Sequence, residues 1–249
     1  MISYKPNILS IAGSDPMCKS GNMADFRVGI DLNSNIFNVI TAINAQNYRE
    51  IKSIYYLDSK IIKDQLEVIF TENNIDVVKI GMVGDKNVID IIVDFFSNKD
   101  IPLIFDPVLK ASNGYDLIPQ NAIDCLKEKI FPLSHLLTPN INEIEILSKR
   151  TIRNLKDIKK AVKILQNFGA KNILVKGGHF QEESNKVVSF LFLEDQIIKI
   201  QNKRLDKNCR GTGCMLSTAI AIFLGDDYNL TESVKKANKY VYHKIKSLS

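Results

Sequence analysis

The chain has 249 residues and a formal net charge of +5, with 45% apolar and 24% charged residues. These values are ordinary for a soluble globular protein with a large core, and the mild positive charge does not favour a nucleic-acid partner. No apolar run approaches the roughly 18 residues that a membrane-spanning helix needs, and the N-terminus lacks a secretory-signal pattern. We therefore expect a cytoplasmic protein with no membrane partner.

Short runs of β-branched residues alternate with amphipathic stretches, which predicts a parallel sheet covered by helices on both faces. The predicted strands cover residues 8–12, 39–43, 77–80, 103–105, 136–138 and 173–176. A hairpin with its turn at Glu194 and Asp195 is predicted over residues 187–200, and helices are predicted within residues 23–32, 61–70, 88–95 and 158–165. No internal repeat or long linker divides the chain. We predict one domain over residues 1–249, an α/β fold with a mostly parallel central sheet.

Polar and glycine-containing motifs follow the predicted strands. In open α/β sheets, ligands bind beyond the carboxyl ends of the parallel strands, so these motifs mark the expected site. They are Gly13-Ser14-Asp15-Pro16, Ala45-Gln46-Asn47, Gly81-Met82, Asp106-Pro107, Pro139-Asn140 and Gly177-Gly178-His179.

The run Gly211-Thr212-Gly213-Cys214 directly precedes an apolar helical segment. Glycine allows successive backbone N–H groups to converge, and the first turn of a helix adds unpaired N–H groups and the positive end of its dipole. Such a cradle suits a phosphate or a developing oxyanion. We expect the helix N-terminus to lower the pKa of the Cys214 thiol. The pattern predicts phosphoryl transfer, with Gly211, Thr212, Gly213 and Cys214 as the catalytic residues.

Asp106 and Glu143 are the leading candidates for magnesium ligands, because Mg²⁺ prefers oxygen ligands and keeps several waters. Asn140 and Glu143 would share one helix face, and their spacing also fits a helix capping box. Beside a glycine cradle we favour the metal. Lys176 ends a buried strand, and we expect its ammonium to reach the phosphate zone; the alternative is a lysine that points to solvent. The four cysteines form no CxxC pair, which does not favour zinc.

Gln46 carries both an acceptor oxygen and a donor amide, which suits the ring nitrogen and exocyclic amine of an aminopyrimidine. A glutamine at a strand end is also often a loop hydrogen-bonder. Asp25 either holds a polar group of the substrate or only lies on the helix predicted over residues 23–32. No GxxxxGK[ST] motif occurs, which disfavours a P-loop fold.

A series of short motifs follows in order over about residues 7–225. They are Gly13-Ser14-Asp15-Pro16, Ala24-Asp25, Ile40-Thr41-Ala42, Ala45-Gln46-Asn47, Val78-Lys79-Ile80-Gly81-Met82, Asp106-Pro107-Val108, Leu137-Thr138-Pro139-Asn140 with Glu143, Val175-Lys176-Gly177-Gly178-His179 and Gly211-Thr212-Gly213-Cys214. Taken together and in this order, they resemble the motifs of the hydroxymethylpyrimidine/phosphomethylpyrimidine kinases of thiamine biosynthesis, in the ribokinase-like superfamily.

The resemblance implies a ribokinase-like three-layer αβα sandwich that uses ATP and Mg²⁺. It implies two successive phosphorylations, first of 4-amino-5-hydroxymethyl-2-methylpyrimidine and then of its monophosphate, by a homodimer. It also implies that Cys214 stands where related sugar kinases carry an aspartate base. The roles that it implies are pyrimidine contacts by Gly13, Asp25 and Gln46, ATP binding by Lys176 and Asn140, magnesium binding by Asp106 and Glu143, and an anion hole formed by Gly211 to Cys214.

Two segments depart from the pattern that the resemblance implies. Met17-Cys18-Lys19-Ser20-Gly21 replaces a glycine-rich loop, and we expect its bulkier side chains to crowd the segment over the substrate. Asn208-Cys209-Arg210 replaces Asn-Thr-His. Lys19 and Arg210 could contact phosphate, although drift at exposed loop positions would explain them as well. Two other functions stay open: a pyridoxal-type kinase of the same fold, and a non-catalytic binder of a vitamin precursor.

Overall fold

The computed structural model describes residues 4–111, 114–177, 185–207 and 209–247. Its strands are β1 (Asn7–Ser14), β2 (Asn35–Gln46), β3 (Ile51–Tyr56), β4 (Val77–Ile80), β5 (Leu103–Phe105), β6 (Leu136–Leu137), β7 (Ile173–Val175), β8 (Lys186–Phe192) and β9 (Ile197–Lys203). Its helices are α1 (Gly21–Asp31), α2 (Ser59–Glu72), α3 (Lys86–Phe96), α4 (Gln120–Cys125, continued by a π-helical turn over Leu126–Ile130), α5 (Ile141–Ser148), α6 (Leu155–Asn167), α7 (Thr212–Gly225) and α8 (Leu230–Ser247).

Within these ranges the strands form one sheet in the order β3-β2-β1-β4-β5-β6-β7-β8-β9. The strands from β2 to β7 in this order pair in parallel, whereas β3, β8 and β9 run antiparallel to their neighbours. The chain passes from β1 to β2 on one side and later continues with β4 on the other side of β1. This reversal leaves a crevice beyond the carboxyl ends of β1 and β4.

The sheet separates two apolar cores, because successive side chains of a strand point to opposite faces. Leu9 and Ile11 of β1 belong to one core, which also contains buried residues of α2 to α6. Ile8 belongs to the second core, together with buried residues of α1, α7 and α8. The fold is therefore a three-layer αβα sandwich with a mostly parallel sheet, as predicted.

The predicted strands and the hairpin are confirmed, with small changes at their ends. The strand predicted over 173–176 ends at Val175, and Lys176 instead forms an isolated bridge with Asn140. Strand β3 was not predicted. It lies at the sheet edge, and only Ile51 and Ile54 among its side chains are half-buried, so it lacks the alternation of a half-buried strand.

Gly178, His179 and Asn208, which occur in the motifs above, lie outside the described residues. Among the helices of the described ranges, none has the combined length and hydropathy needed to cross a membrane.

Helix α2 provides a direct test of which face packs on the sheet. Leu66 is fully buried, whereas Val68 two positions later is 71% exposed. We expect Leu66→Ala to lower the free energy of unfolding by about 2–5 kcal/mol, because it leaves a cavity in the core. Val68→Ala, the matched control, should change it by less than about 0.5 kcal/mol. Urea denaturation measures both; equal losses would contradict the packing of α2.

Candidate active site

A pocket lies beyond the carboxyl ends of the parallel strands, at the crevice beside β1. Its wall also includes an apolar part, formed among others by Ile51, Met82 and Val108. The structure thus brings most of the predicted site residues together in one place. Those that line the pocket are Gly13, Gln46, Asp106, Asn140, Glu143, Lys176, Gly211, Gly213 and Cys214.

The glycine cradle stands at the start of α7. Gly211 is the residue before the helix and has a φ of +79°, a left-handed conformation that favours glycine. A Cβ atom at this position would lie 1.7 Å from the carbonyl oxygen of Lys19, so a side chain has no room. The first N–H groups of a helix have no intrahelical acceptor. Gly211 has no side chain that could cap those of α7. The geometry is that of an anion site. Thr212 contributes to the first turn but does not line the pocket.

The loop from Asp15 to Gly21 is built around the Asp15 carboxylate. The backbone N–H groups of Met17, Lys19 and Ser20 donate to it at 2.9–3.1 Å, and the Ser20 hydroxyl donates at 2.8 Å. Burial raises the pKa of Asp15, but the hydrogen bonds that it accepts lower that pKa below its ordinary value. This carboxylate therefore fixes a loop that has few glycines of its own.

The crowding expected from this loop is not observed. Of its residues, Ser20 and Gly21 line the pocket, whereas Met17, Cys18 and Lys19 do not. The three bulkier residues are therefore not part of the pocket wall. The predicted cationic contact by Lys19 accordingly has no support, while Arg210 does line the pocket.

Gln46, the last residue of β2, lies between the pocket and the Asp15 loop. It lines the pocket, and its side chain helps to lower the pKa of Asp15. A carboxylate accepts only, so the amide nitrogen of Gln46 is the group that would face Asp15. The Asp15 loop and the pocket therefore meet at Gln46.

Lys176 is held between two acidic side chains. Its Nζ lies 2.6 Å from Asp106 Oδ1 and 3.8 Å from Glu143 Oε2. Asp106 also accepts bonds from the Thr138 hydroxyl at 3.1 Å and the Ser217 hydroxyl at 3.3 Å. Lys176 therefore points into the pocket rather than to solvent, which decides between its two alternatives. Burial alone would lower the pKa of Lys176, but the two carboxylates raise it above its ordinary value.

Asn140 and Glu143 form the capping box that was weighed against metal binding. The Asn140 side chain accepts from the Glu143 N–H at 2.9 Å, and Glu143 Oε2 accepts from the Asn140 N–H at 2.7 Å. Burial raises the pKa of Glu143 to about 7, with Asp106 adding to the shift and Lys176 opposing it. Both residues thus have a structural role at the start of α5.

The predicted contact between Asp25 and a substrate does not fit the structure. Asp25 is fully buried and is not part of the pocket wall. Its carboxylate accepts from the hydroxyls of Ser10 and Thr218 and pairs with the Lys79 ammonium at 2.7 Å. Asp25 lies behind the wall because Lys79, which does line the pocket, stands in front of it.

The expectation of a lowered pKa at Cys214 was wrong. Cys214 lines the pocket at the start of α7, but burial raises the pKa of its thiol above the ordinary value. Lys79 and the N–H of Gly21 act in the opposite direction, and the carboxylates of Asp25 and Asp106 add to the increase. Desolvation of the thiolate outweighs the helix N-terminus.

Sequence reasoning missed Lys79 and the anchoring role of Asp15. Lys79 occupies a strand whose residues are all buried, and a lysine in an apolar strand is a signal that the sequence carried. Asp15 gave a weaker signal, because an aspartate after a strand is common in turns of every kind.

The fold and the pocket define the class of ribokinase-like kinases: a mostly parallel αβα sandwich with a glycine cradle at a helix start. Pyridoxal kinase from Staphylococcus aureus, solved with AMP-PCP and pyridoxal, has this fold (TM-score 0.88 over 98% of this chain and 89% of that chain). Its sequence is 22% identical, so the likeness concerns the fold alone.

Within this class, the chain belongs to the phosphomethylpyrimidine kinase family, whose sequence model matches residues 15–249. The hydroxymethylpyrimidine/phosphomethylpyrimidine kinase of Aquifex aeolicus is 30% identical over 96% of this chain and 94% of its own length. Phosphomethylpyrimidine kinase from Clostridium difficile 630 is 33% identical in sequence. Its crystal structure has a TM-score of 0.85 over 97% of this chain and 100% of that chain. The predicted family and its phosphotransferase class are confirmed.

Some relatives are longer proteins. The thiamine biosynthesis bifunctional protein ThiED of Geobacter sulfurreducens is 34% identical over 94% of this chain, but the chain spans only 48% of that protein. The names of these relatives favour a pyrimidine kinase over the pyridoxal-type kinase and the non-catalytic binder.

The raised pKa of Glu143 predicts a pH dependence of stability. The pKa of Glu143 is about 7 in the folded protein, against an ordinary pKa of 4.5. The folded protein therefore binds this proton more tightly than the unfolded chain does. The stabilisation that the folded protein gains from this proton is complete below pH 4.5 and is lost as the pH rises through about 7. Glu143→Gln keeps a capping side chain and removes this titration. We expect wild type to lose stability relative to Glu143→Gln as the pH rises across this range.

Denaturant unfolding at a series of pH values, with a metal chelator present, measures this difference. Glu128→Gln removes the same charge from an exposed position and is the matched control. Parallel stability curves for wild type and Glu143→Gln between pH 4.5 and 7 would contradict the assignment.

Proposed function

We propose that this chain transfers the γ-phosphoryl group of ATP to the hydroxyl of 4-amino-5-hydroxymethyl-2-methylpyrimidine, and then phosphorylates the resulting monophosphate. The observation that carries the proposal is the convergence of Lys176, Cys214 and the Gly211 cradle with Gln46 in one pocket. An anion site, a cation, a titratable thiol and an amide are groups that suit phosphoryl transfer to an aminopyrimidine alcohol.

The pyrimidine end of the pocket follows from Gln46 and its apolar neighbours. With the amide nitrogen of Gln46 toward Asp15, its amide oxygen would accept from an exocyclic amine, and an N–H would donate to a ring nitrogen. Met82 and Val108, both part of the pocket wall, offer apolar contact to the ring. Asp25 has no part in this contact in our proposal, because it lies behind Lys79.

The phosphate end follows from the cradle and Lys176. The transition state of phosphoryl transfer is loose, so positioning and neutralisation of charge matter more than strong base catalysis. The N–H groups at the start of α7 would stabilise negative charge on the transferred group. The Lys176 ammonium, which already lies between two carboxylates, would balance the nucleotide phosphates, and Asn140 stands beside it.

The donors present fit a magnesium ion held mainly through water and phosphate oxygens. Asp106 and Glu143 supply carboxylate oxygens, the ligand type that Mg²⁺ prefers, but both already accept hydrogen bonds. When bound, the ion would neutralise charge on the phosphates. Among the described residues, no group of three or more acidic, histidine or cysteine side chains is placed to hold a metal ion.

Cys214 would accept the proton of the substrate hydroxyl as the oxygen attacks the γ-phosphorus and ADP leaves. The second step differs in its chemistry. A phosphate monoester is already anionic at neutral pH, so its oxygen attacks without losing a proton to a base. The two phosphorylations therefore place unequal demands on Cys214.

We further propose that the protein forms a homodimer and is located in the cytoplasm. The resemblance to the family supports the dimer. The exposed side chains of Ile43 in β2, Tyr55 in β3 and Tyr48 in the turn between these strands offer an apolar surface for a second copy. Light scattering of the purified protein tests the dimer.

An ATP-consumption assay tests the function directly. We expect turnover with the hydroxymethylpyrimidine and with its monophosphate, and much slower turnover with pyridoxal. Faster turnover of pyridoxal would instead support the pyridoxal-type alternative. Tight binding of the pyrimidine without ATP consumption would identify a non-catalytic binder.

The two steps should respond differently to loss of the thiol. We expect Cys214→Ala to slow the first phosphorylation by about 10²-fold or more, the usual effect of a general base, and the second far less. Steady-state rates with each substrate measure the difference. Cys125→Ala removes a thiol from α4, outside the pocket wall, and should leave both rates unchanged. Equal losses in both steps would refute the base role.

The cradle makes a second prediction. Gly211→Ala places a Cβ against the Lys19 carbonyl oxygen, so the N–H groups of the cradle must move, and we expect about a 10²-fold loss of kcat in both steps. Gly114→Ala is the matched control, because Gly114 also has a positive φ (+87°) but a Cβ there meets nothing within 4 Å. If both variants lose activity equally, the close contact at Gly211 is not the reason.

A further inference from the structure

Lys79 is a charged side chain buried in the strand at the centre of the fold. It lies in β4 between apolar residues, its side chain has no exposure, and its Nζ is 2.7 Å from Asp25 Oδ2. Burying an ion pair costs desolvation energy, and a well-packed apolar pair is often as stable. Stability alone therefore gives no strong reason for a lysine at this position.

The pair is fixed from three sides. Asp25 lies on α1 and accepts from Ser10 of β1 at 2.5 Å and from Thr218 of α7 at 2.7 Å. The carboxylate thus has no freedom to turn, and Lys79 is held where Asp25 holds it. An ammonium has three donors, and Asp25 accounts for one of the contacts.

The ammonium lies at the pocket wall, in the same pocket as the start of α7. Its Nζ is 3.1 Å from the position that a Cβ on Gly81 would occupy, and Lys79, Gly81 and Cys214 all line the pocket. Thr218, which binds Asp25, lies one helical turn beyond Cys214 and hence on the same face of α7. The pair thus lies against the face of the helix that presents the thiol.

Several charged groups act on this thiol. From β4 comes the Lys79 ammonium, from α1 the Asp25 carboxylate, from the end of β5 Asp106, and from the end of β7 Lys176. Burial raises the pKa of Cys214, and Lys79 is the strongest opposing influence. Without that ammonium, the desolvated thiolate would face both carboxylates with Lys176 as the remaining cation of this set.

We propose that Lys79 is a positioning residue whose ammonium, fixed by Asp25, is the counter-charge for the Cys214 thiolate. The inference rests on the proposed function, since it gives the thiolate a task. Cys214 first loses its own proton to solvent. The thiolate then takes the proton of the substrate hydroxyl, the oxygen forms its bond to the γ-phosphorus, the bond from that phosphorus to the bridging oxygen breaks, and ADP leaves.

The test compares variants that separate charge from structure. Lys79→Met/Asp25→Asn removes both charges and leaves no unpaired buried ion, while Lys79→Arg keeps the positive charge. Lys129→Met/Asp90→Asn, the matched control, removes the same charges from a partly exposed ion pair on α3 and the π-helical turn. If the first double variant does not fold, Lys79→Gln replaces it, because glutamine keeps an N–H donor toward Asp25 without the charge.

The first readout is the pH dependence of the two phosphorylations. In the double variant we expect the rising limb of the first phosphorylation to move to higher pH, with about a tenfold loss at neutral pH for each unit of the shift. The second phosphorylation should lose much less. Lys79→Arg should regain activity in the first step, and the control pair should match wild type.

The second readout is the ultraviolet absorbance of the thiolate in the free enzyme, taken as the difference from Cys214→Ala in the same background. It does not depend on turnover. A titration that moves to higher pH without the Lys79 charge supports the inference. An unmoved titration overturns it, even if activity falls, and makes the pair purely structural. If wild type phosphorylates no pyrimidine, the proposed function fails, while the thiolate titration still decides the role of Lys79.

Discussion

The buried ion pair between Lys79 and Asp25 is the interaction on which the geometry of the site depends. It joins β4 to α1, and through the hydroxyls of Ser10 and Thr218 it also includes β1 and α7. Four elements that are far apart along the chain thus converge on one carboxylate. Because an unpaired buried charge is costly, none of them can move away alone.

A second carboxylate repeats this arrangement at the next strand end. Asp106 pairs with Lys176, accepts from Thr138, and contacts the hydroxyl of Ser217, the residue just before Thr218. Two consecutive hydroxyls of α7 therefore bind two different buried carboxylates. Helix α7 is fixed in rotation and in depth, and the glycine cradle at its start is fixed with it.

The same charges set the chemistry of the pocket. Each carboxylate that anchors α7 also raises the pKa of the thiol near its start, and each carboxylate has a lysine partner. The site therefore balances two anions and two cations around Cys214. Asp15 adds a third anchor, because it accepts from Ser20 and so holds the loop whose last residue, Gly21, lines the pocket and acts to lower the pKa of the thiol.

The sequence by itself determined the layered α/β fold, most strand positions, the family and many of the residues that line the pocket, because periodicity and ordered motifs are local properties. Tertiary structure decided what those residues do. Asp25 lies behind the wall and pairs with Lys79, and burial raises the pKa values of Cys214 and Glu143. Each of these outcomes depends on desolvation or on a partner that is distant in the chain. A local sequence pattern shows neither the burial of a group nor its distant partner.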